Sequence, residues 1–143
     1  MKHKLYKSYM ECALAFSKQS RAVRKKVGAV AVTPQDVMIY SWNGTASGDD
    51  NVCEIMLENG ELVTKDEVLH AESNVVAKAA REGVSLKGST VFITLSPCMA
   101  CSKMLFQAGV ERVVYLEEYR DRSGIDYLKK HCIIVEKMEE QNG

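Results

Sequence analysis

The sequence predicts an α/β domain of three layers, with helices on both sides of a mixed five-stranded sheet. Three observations carry that expectation. Short β-prone apolar runs alternate along the chain with segments of helical spacing. Two of the runs are separated only by turn residues, which makes an antiparallel pair. The last strands are separated by helices, which allows parallel crossovers. At 143 residues, 46% of them hydrophobic and 27% charged, one domain spanning residues 1–143 can bury a full core without disulfide or metal staples. Any metal must then be explained by function.

Leu5, Tyr9, Cys12, Ala13 and Phe16 recur at helical spacing, so residues 3–18 read as an amphipathic helix. Residues 27–33 and 37–42 are β-prone runs joined by Pro34-Gln35-Asp36, a hairpin signal. Residues 43–69 are polar and lose periodicity. A connection of that length in a compact domain is usually functional or mobile, and this one is expected to line a site. Helical spacing resumes over residues 70–81, stopped by Gly83, and a strand follows over 89–95. Ser96-Pro97 reads as an N-cap residue with proline at the first helical position, opening a helix over 98–107 that Gly109 ends. Residues 110–116 and 132–135 read as two further strands with a short helix at 125–130 between them.

Charge and cysteine content narrow the function classes. Lys+Arg 19 against Asp+Glu 19 gives a formal charge of +0 and a pI near 6.8. No global positive field attracts a phosphate backbone, so nucleic acid is not an expected partner. The longest apolar run, residues 27–32, is far short of the ~20 residues that span a bilayer. Glu11 and Lys18 interrupt the segment after the charged N-terminus, so it does not read as a secretory signal. The expectation is a soluble, cytoplasmic protein with no membrane partner. Five cysteines, at 12, 53, 98, 101 and 132, are an odd number without secretory context, which points to reduced thiols, a metal site, or both.

Their spacing favours a metal. Cys98 and Cys101 stand three apart at a predicted helix start, which brings both thiols to one face for a single zinc ion. His70 opens another predicted helix and completes a trio, leaving the fourth tetrahedral position for water, as in a catalytic site. Both ligand sets fall at helix N-termini, whose unpaired N–H groups and dipole favour thiolate. Glu72 stands two residues from His70, and such positions share no face in a regular helix. Both can face the ion only at the irregular helix entrance. There Glu72 is a proton shuttle rather than a ligand. In this scheme zinc lowers the pKa of a water and Glu72 takes its proton. Hydroxide then attacks an amidine-like ring carbon, and Glu72 passes protons to the ring nitrogen and the departing ammonia. His-x-Glu followed by Pro-Cys-x-x-Cys is the signature of zinc nucleobase deaminases.

Plainer readings exist for each part: a redox pair, a closed structural zinc site, a packing histidine. A redox pair does not require His-x-Glu, and a closed site needs a fourth ligand from Cys12, Cys53, Cys132, His3 or His131.

With these motifs in view the chain resembles the cytidine and deoxycytidylate deaminase superfamily, and within it the deoxycytidylate (dCMP) deaminases of the compact, phage-like type. Beyond the zinc motif the resemblance rests on Val27-Gly28-Ala29-Val30, Trp42-Asn43-Gly44-Thr45, Leu95-Ser96-Pro97-Cys98, and the segment from Gln107 to Tyr115. The family's Asn-Gly-x-Pro-x-Gly loop departs here to Asn43-Gly-Thr-Ala46-Ser-Gly48. The resemblance implies the cytidine-deaminase-like fold and hydrolysis of dCMP to dUMP in a homohexamer activated by dCTP and inhibited by dTTP. It also implies that Asn43 contacts the nucleotide, that Ala71 binds the base through its backbone, and that Tyr119 lies over the pocket. Arg24 stands where it could meet a phosphate, with a solvent-facing basic turn, Arg24-Lys25-Lys26, as the alternative. Gly48, Asp50, Asn51 and Glu54 lie in the segment expected to supply an effector site, with Asp50 and Asn51 facing Mg2+ and dCTP. A solvated acidic turn and a buried free Cys53 are the alternatives. Deaminases of free cytidine, guanine or transfer-RNA adenosine, and a structural zinc module, remain as rivals.

Overall fold

The computed structural model describes residues 3–46 and 48–139. A 3-10 turn at His3–Leu5 leads into α1 (Tyr6–Ser17), and β1 (Gly28–Val32) and β2 (Met38–Trp42) follow as a hairpin. Next come β3 (Glu54–Met56), β4 (Leu62–Thr64), α2 (Ala71–Arg81), β5 (Thr90–Leu95), α3 (Met99–Gln107), β6 (Arg112–Glu117), α4 (Ser123–Lys130) and β7 (Ile134–Lys137). The main sheet runs β2-β1-β5-β6-β7, antiparallel as far as β5 and parallel from β5 to β7. It is the expected mixed sheet of five strands. The β5-α3-β6 and β6-α4-β7 units are the parallel crossovers that alternating strands and helices demand.

Side-chain alternation builds the three layers. Val30, Val32, Phe92 and Val114 face α1 and meet Tyr6, Met10 and Ala13. Ala29, Ala31, Val91, Ile93 and Val113 point the other way, into a larger core with Val75, Leu105, Ile125 and Leu128 from α2, α3 and α4. A strand's period of two thus serves both faces at once, as a covered sheet requires. Small residues set the spacing on the α1 side: a Cβ on Gly28 would lie 2.0 Å from the Ala13 carbonyl oxygen.

The boundaries depart from expectation where tertiary contacts intervene. The connection over 43–69 contains a second hairpin, β3–β4, with a turn closed by Leu57 N–H to Glu61 O (2.8 Å) and Gly60 at φ +85°. Asn59-Gly60 is the turn dipeptide that marks it in the sequence. The N-cap of α3 is Cys98 rather than Ser96, so Pro97 stands just outside the helix. Ser96 instead turns its hydroxyl to the Tyr119 amide, 2.7 Å away. Cys132 is not a strand residue: at φ +63° it turns the chain out of α4, and β7 starts two residues later.

Candidate active site

Two helix N-termini meet at the carboxyl end of β5. His70 is the N-cap of α2 and Cys98 the N-cap of α3, both in extended backbone. An N-cap lies outside the helical register, so His70 and Glu72 reach one site although regular helical positions two apart diverge. The ligand turn before α3 is wedged from behind, since a Cβ on Gly124 would meet the Pro97 carbonyl oxygen at 2.2 Å.

His70 Nδ1 lies 3.3 Å from Cys101 Sγ and 3.7 Å from Cys98 Sγ, and the three donor atoms fall within 4.8 Å of one another. A tetrahedral zinc with bonds of about 2.0 Å to nitrogen and about 2.3 Å to sulfur would space those atoms by about 3.5 Å, so the trio fits the ion. Among the described residues no further His, Cys, Asp or Glu joins the group. Cys53 lines the neighbouring cavity but directs its thiol to Asn51 O at 3.8 Å. Cys12 packs on the α1 face, His131 stacks against Phe106 and Tyr127, and Cys132 is exposed. The His3 side chain lies outside the described residues.

The electrostatics match the donor set. The hydrogen bond with Cys101, then that with His70, holds the Cys98 thiol down at about 4. The bond to Cys98, and then burial, push the Cys101 thiol up. The hydrogen bond to Cys98 raises the His70 imidazole. Such a trio holds a shared proton where a divalent cation would leave two thiolates. Glu72 is 4% exposed, and burial pushes its carboxyl up to about 7. A carboxyl titrating there takes and returns protons at neutral pH.

A cavity of about 420 Å³ opens over this group. His70, Ala71, Glu72 and Cys98 line it, together with Arg24, Asn43 and Tyr119. The sequence-predicted ligands, shuttle and substrate contacts are thus brought together. Ala71, at the first position of α2, presents an N–H that has no partner inside the helix. Its carbonyl accepts from Ser41 Oγ at 2.6 Å. Asn43 accepts the Val27 N–H at 2.9 Å and donates to Lys25 O at 2.8 Å, and its amide has a second hydrogen to offer a ligand. Gly48, Asp50 and Asn51 do not line the cavity. Asp50 pairs with Lys65 at 3.4 Å on the surface. Glu54 is buried, and its carboxylate accepts the Val23 and Arg24 amides. Sequence reasoning missed Lys25, which lines the cavity and pairs with Glu117 at 2.6 Å. Its place in a run of basic residues reads as a solvated face, and only the fold separates it from Lys26.

A trio of one imidazole and two thiols beside a buried carboxyl, on a three-layer α/β/α fold, defines a zinc-dependent hydrolytic deaminase of the nucleobase type. The model of the cytidine and deoxycytidylate deaminase zinc-binding region matches residues 3–117, and the chain belongs to that family. Deoxycytidylate deaminase of enterobacteria phage T4 is 28% identical over 161 residues, covering 86% of this chain and 83% of that one. The enzyme of the same name from Mycobacterium phage D29 is 32% identical over 120 residues, covering 77% of this chain and 92% of that one. The crystal structure of dCMP deaminase from cyanophage S-TIM5 in complex with dCMP and dUMP superposes with TM-score 0.87 at 46% identity, covering 96% of this chain and 99% of that one.

Proposed function

We propose that this chain catalyses the hydrolytic deamination of dCMP to dUMP and ammonia, as a single domain over residues 1–143. The carrying observation is Glu72: a carboxyl buried beside three metal donors, with no fourth protein ligand among the described residues. Held by His70, Cys98 and Cys101, zinc would supply a water acidic enough to attack at neutral pH. Glu72 would take a proton from the attacking water and deliver it to the pyrimidine ring nitrogen as the oxygen adds to the amino-bearing carbon; it would then take the proton of the added hydroxyl and pass it to the amine as the carbon–nitrogen bond breaks, leaving a carbonyl and ammonia. The Ala71 amide and the Asn43 side chain orient the nucleotide, Tyr119 closes over the base, and Arg24 faces the phosphate. The likeness to the cyanophage enzyme bound to dCMP and dUMP supports this substrate.

Ammonia release from dCMP, CMP, deoxycytidine, cytidine and guanine tests the reading. Turnover of dCMP should exceed that of the others by about tenfold or more, since a site built around a phosphate rejects analogues that leave its polar groups unpaired. Activity confined to unphosphorylated cytidine would overturn it.

The regulatory reading extends this one. A cytoplasmic homohexamer binds dCTP with Mg2+, or dTTP, at the exposed segment of Gly48, Asp50 and Asn51, to which Glu54 is adjacent in sequence. Gly48 at φ +96° and the Asp50–Lys65 pair give that segment a defined shape outside the catalytic cavity. Rate curves against dCMP, with and without dCTP and Mg2+, check it, and identical curves would remove it.

A further inference from the structure

The segment between α1 and β1 has no regular structure, yet it forms a wall of the cavity through Arg24 and Lys25. Its backbone is held by Ser20 from within and by side chains from elsewhere. Ser20 Oγ accepts the Ala22 N–H at 3.1 Å, and Asn43 takes Lys25 O and Val27 N. The middle of the segment is held by the β3–β4 hairpin alone among the described contacts. Glu54 Oε2 accepts from Val23 N at 2.7 Å and from Arg24 N at 3.0 Å. Glu54 and Thr64 face each other across the hairpin, and Arg24 Nη1 donates to Thr64 Oγ1 at 3.4 Å. One rung of the hairpin therefore grips Arg24 at both its backbone and its guanidinium. Two successive amides converging on one oxygen form a cradle suited to an anion, and here the chain's own buried carboxylate fills it.

We infer that Glu54 is a positioning residue for nucleotide recognition: its carboxylate, with Thr64 opposite, sets the conformation in which Arg24 is presented to the substrate phosphate. This inference rests on the deamination of a nucleoside monophosphate proposed above. It gives the β3–β4 hairpin a purpose, since an isolated pair of strands is marginal in water and this one carries exposed Ile55 and Met56. Glu54 neither lines the cavity nor joins the metal donors, so its effect should fall on recognition of the phosphate and spare the chemical step.

The test compares E54Q and E54A with the wild type in zinc-loaded protein, on dCMP and on deoxycytidine, with metal content and urea midpoint measured alongside. Glutamine keeps an acceptor oxygen but loses the charge that strengthens both bonds. E54Q should raise KM for dCMP by about tenfold with kcat within about twofold, and E54A should raise it further. KM for deoxycytidine should stay unchanged in both. Parallel loss of kcat on the two substrates, or an unchanged KM with only the response to dCTP lost, would overturn the inference. Should wild-type protein fail to deaminate dCMP, the proposed activity falls by itself. The Glu54 inference is then read from the dissociation constant of dCMP, where an equal value in E54Q and wild type would overturn it.

Discussion

Glu72 carries the widest consequences of any single side chain. Replacing it with glutamine keeps its size and leaves the three metal donors intact, so E72Q should retain zinc while kcat falls by roughly 10²–10⁴-fold, the usual contribution of a positioned acid–base group. Rate assays paired with metal analysis check this, and loss of zinc from the variant would assign Glu72 to the metal instead. The raised carboxyl also has a signature in the zinc-free protein. A carboxyl moved from 4.5 to about 7 binds its proton more tightly when folded. Its contribution to stability is therefore present below pH 4.5 and lost as pH rises through about 7. Zinc-free E72Q should accordingly resist urea better than zinc-free wild type at about pH 8, with the gap closing toward pH 4.5. Equal gaps at both ends would show that Glu72 is solvated. Among the donors, Cys98→Ser and Cys101→Ser should each sharply reduce zinc stoichiometry, because a hydroxyl does not ionise to replace a thiolate.

At the scale of elements, the site depends on how closely helices approach. Gly124 opens α4 against the Pro97-Cys98 turn, with no space for a methyl between its backbone and the Pro97 carbonyl. Gly124→Ala should cost roughly 1–3 kcal/mol of stability and lower zinc content as the ligand turn shifts. Denaturant melts with metal analysis check both, and a variant with native stability and full zinc would sink the claim. The helices are legible from apolar spacing and their glycine stops, because Gly83 and Gly109 do take positive φ as helix terminators must. The β3–β4 hairpin is marked only by its Asn59-Gly60 turn: each strand has three residues, too few for alternation to rise above the polar background. The start of α3 is not legible in sequence because Ser96-Pro97 carries the pattern of an N-cap and first helical position, and only the contact with Tyr119 decides where Ser96 directs its hydroxyl.

Across the whole molecule, metal and core are separate sources of stability. The sheet is covered on both faces by apolar clusters, and the zinc trio sits at the end of one layer rather than inside either. Removing zinc with a chelator should abolish turnover yet leave the circular dichroism spectrum and a cooperative melt, with Tm lowered by the lost binding energy. A chelated protein without a cooperative transition would contradict this. The described helices include none long and apolar enough to cross a membrane, in keeping with the shortness of the apolar runs.

Residue type and spacing already carry the chemistry: which side chains can hold a metal, which carboxyl stands near them, and the strand and helix periods that order a mixed sheet. Those are local properties, written within single segments of the chain. Tertiary packing sets how far Glu72 is buried, and with it the pH at which that carboxyl titrates. It also brings Glu54 to Arg24 across 30 residues of chain. Desolvation and long-range hydrogen bonds depend on what surrounds a group, and no spacing along one segment carries that information.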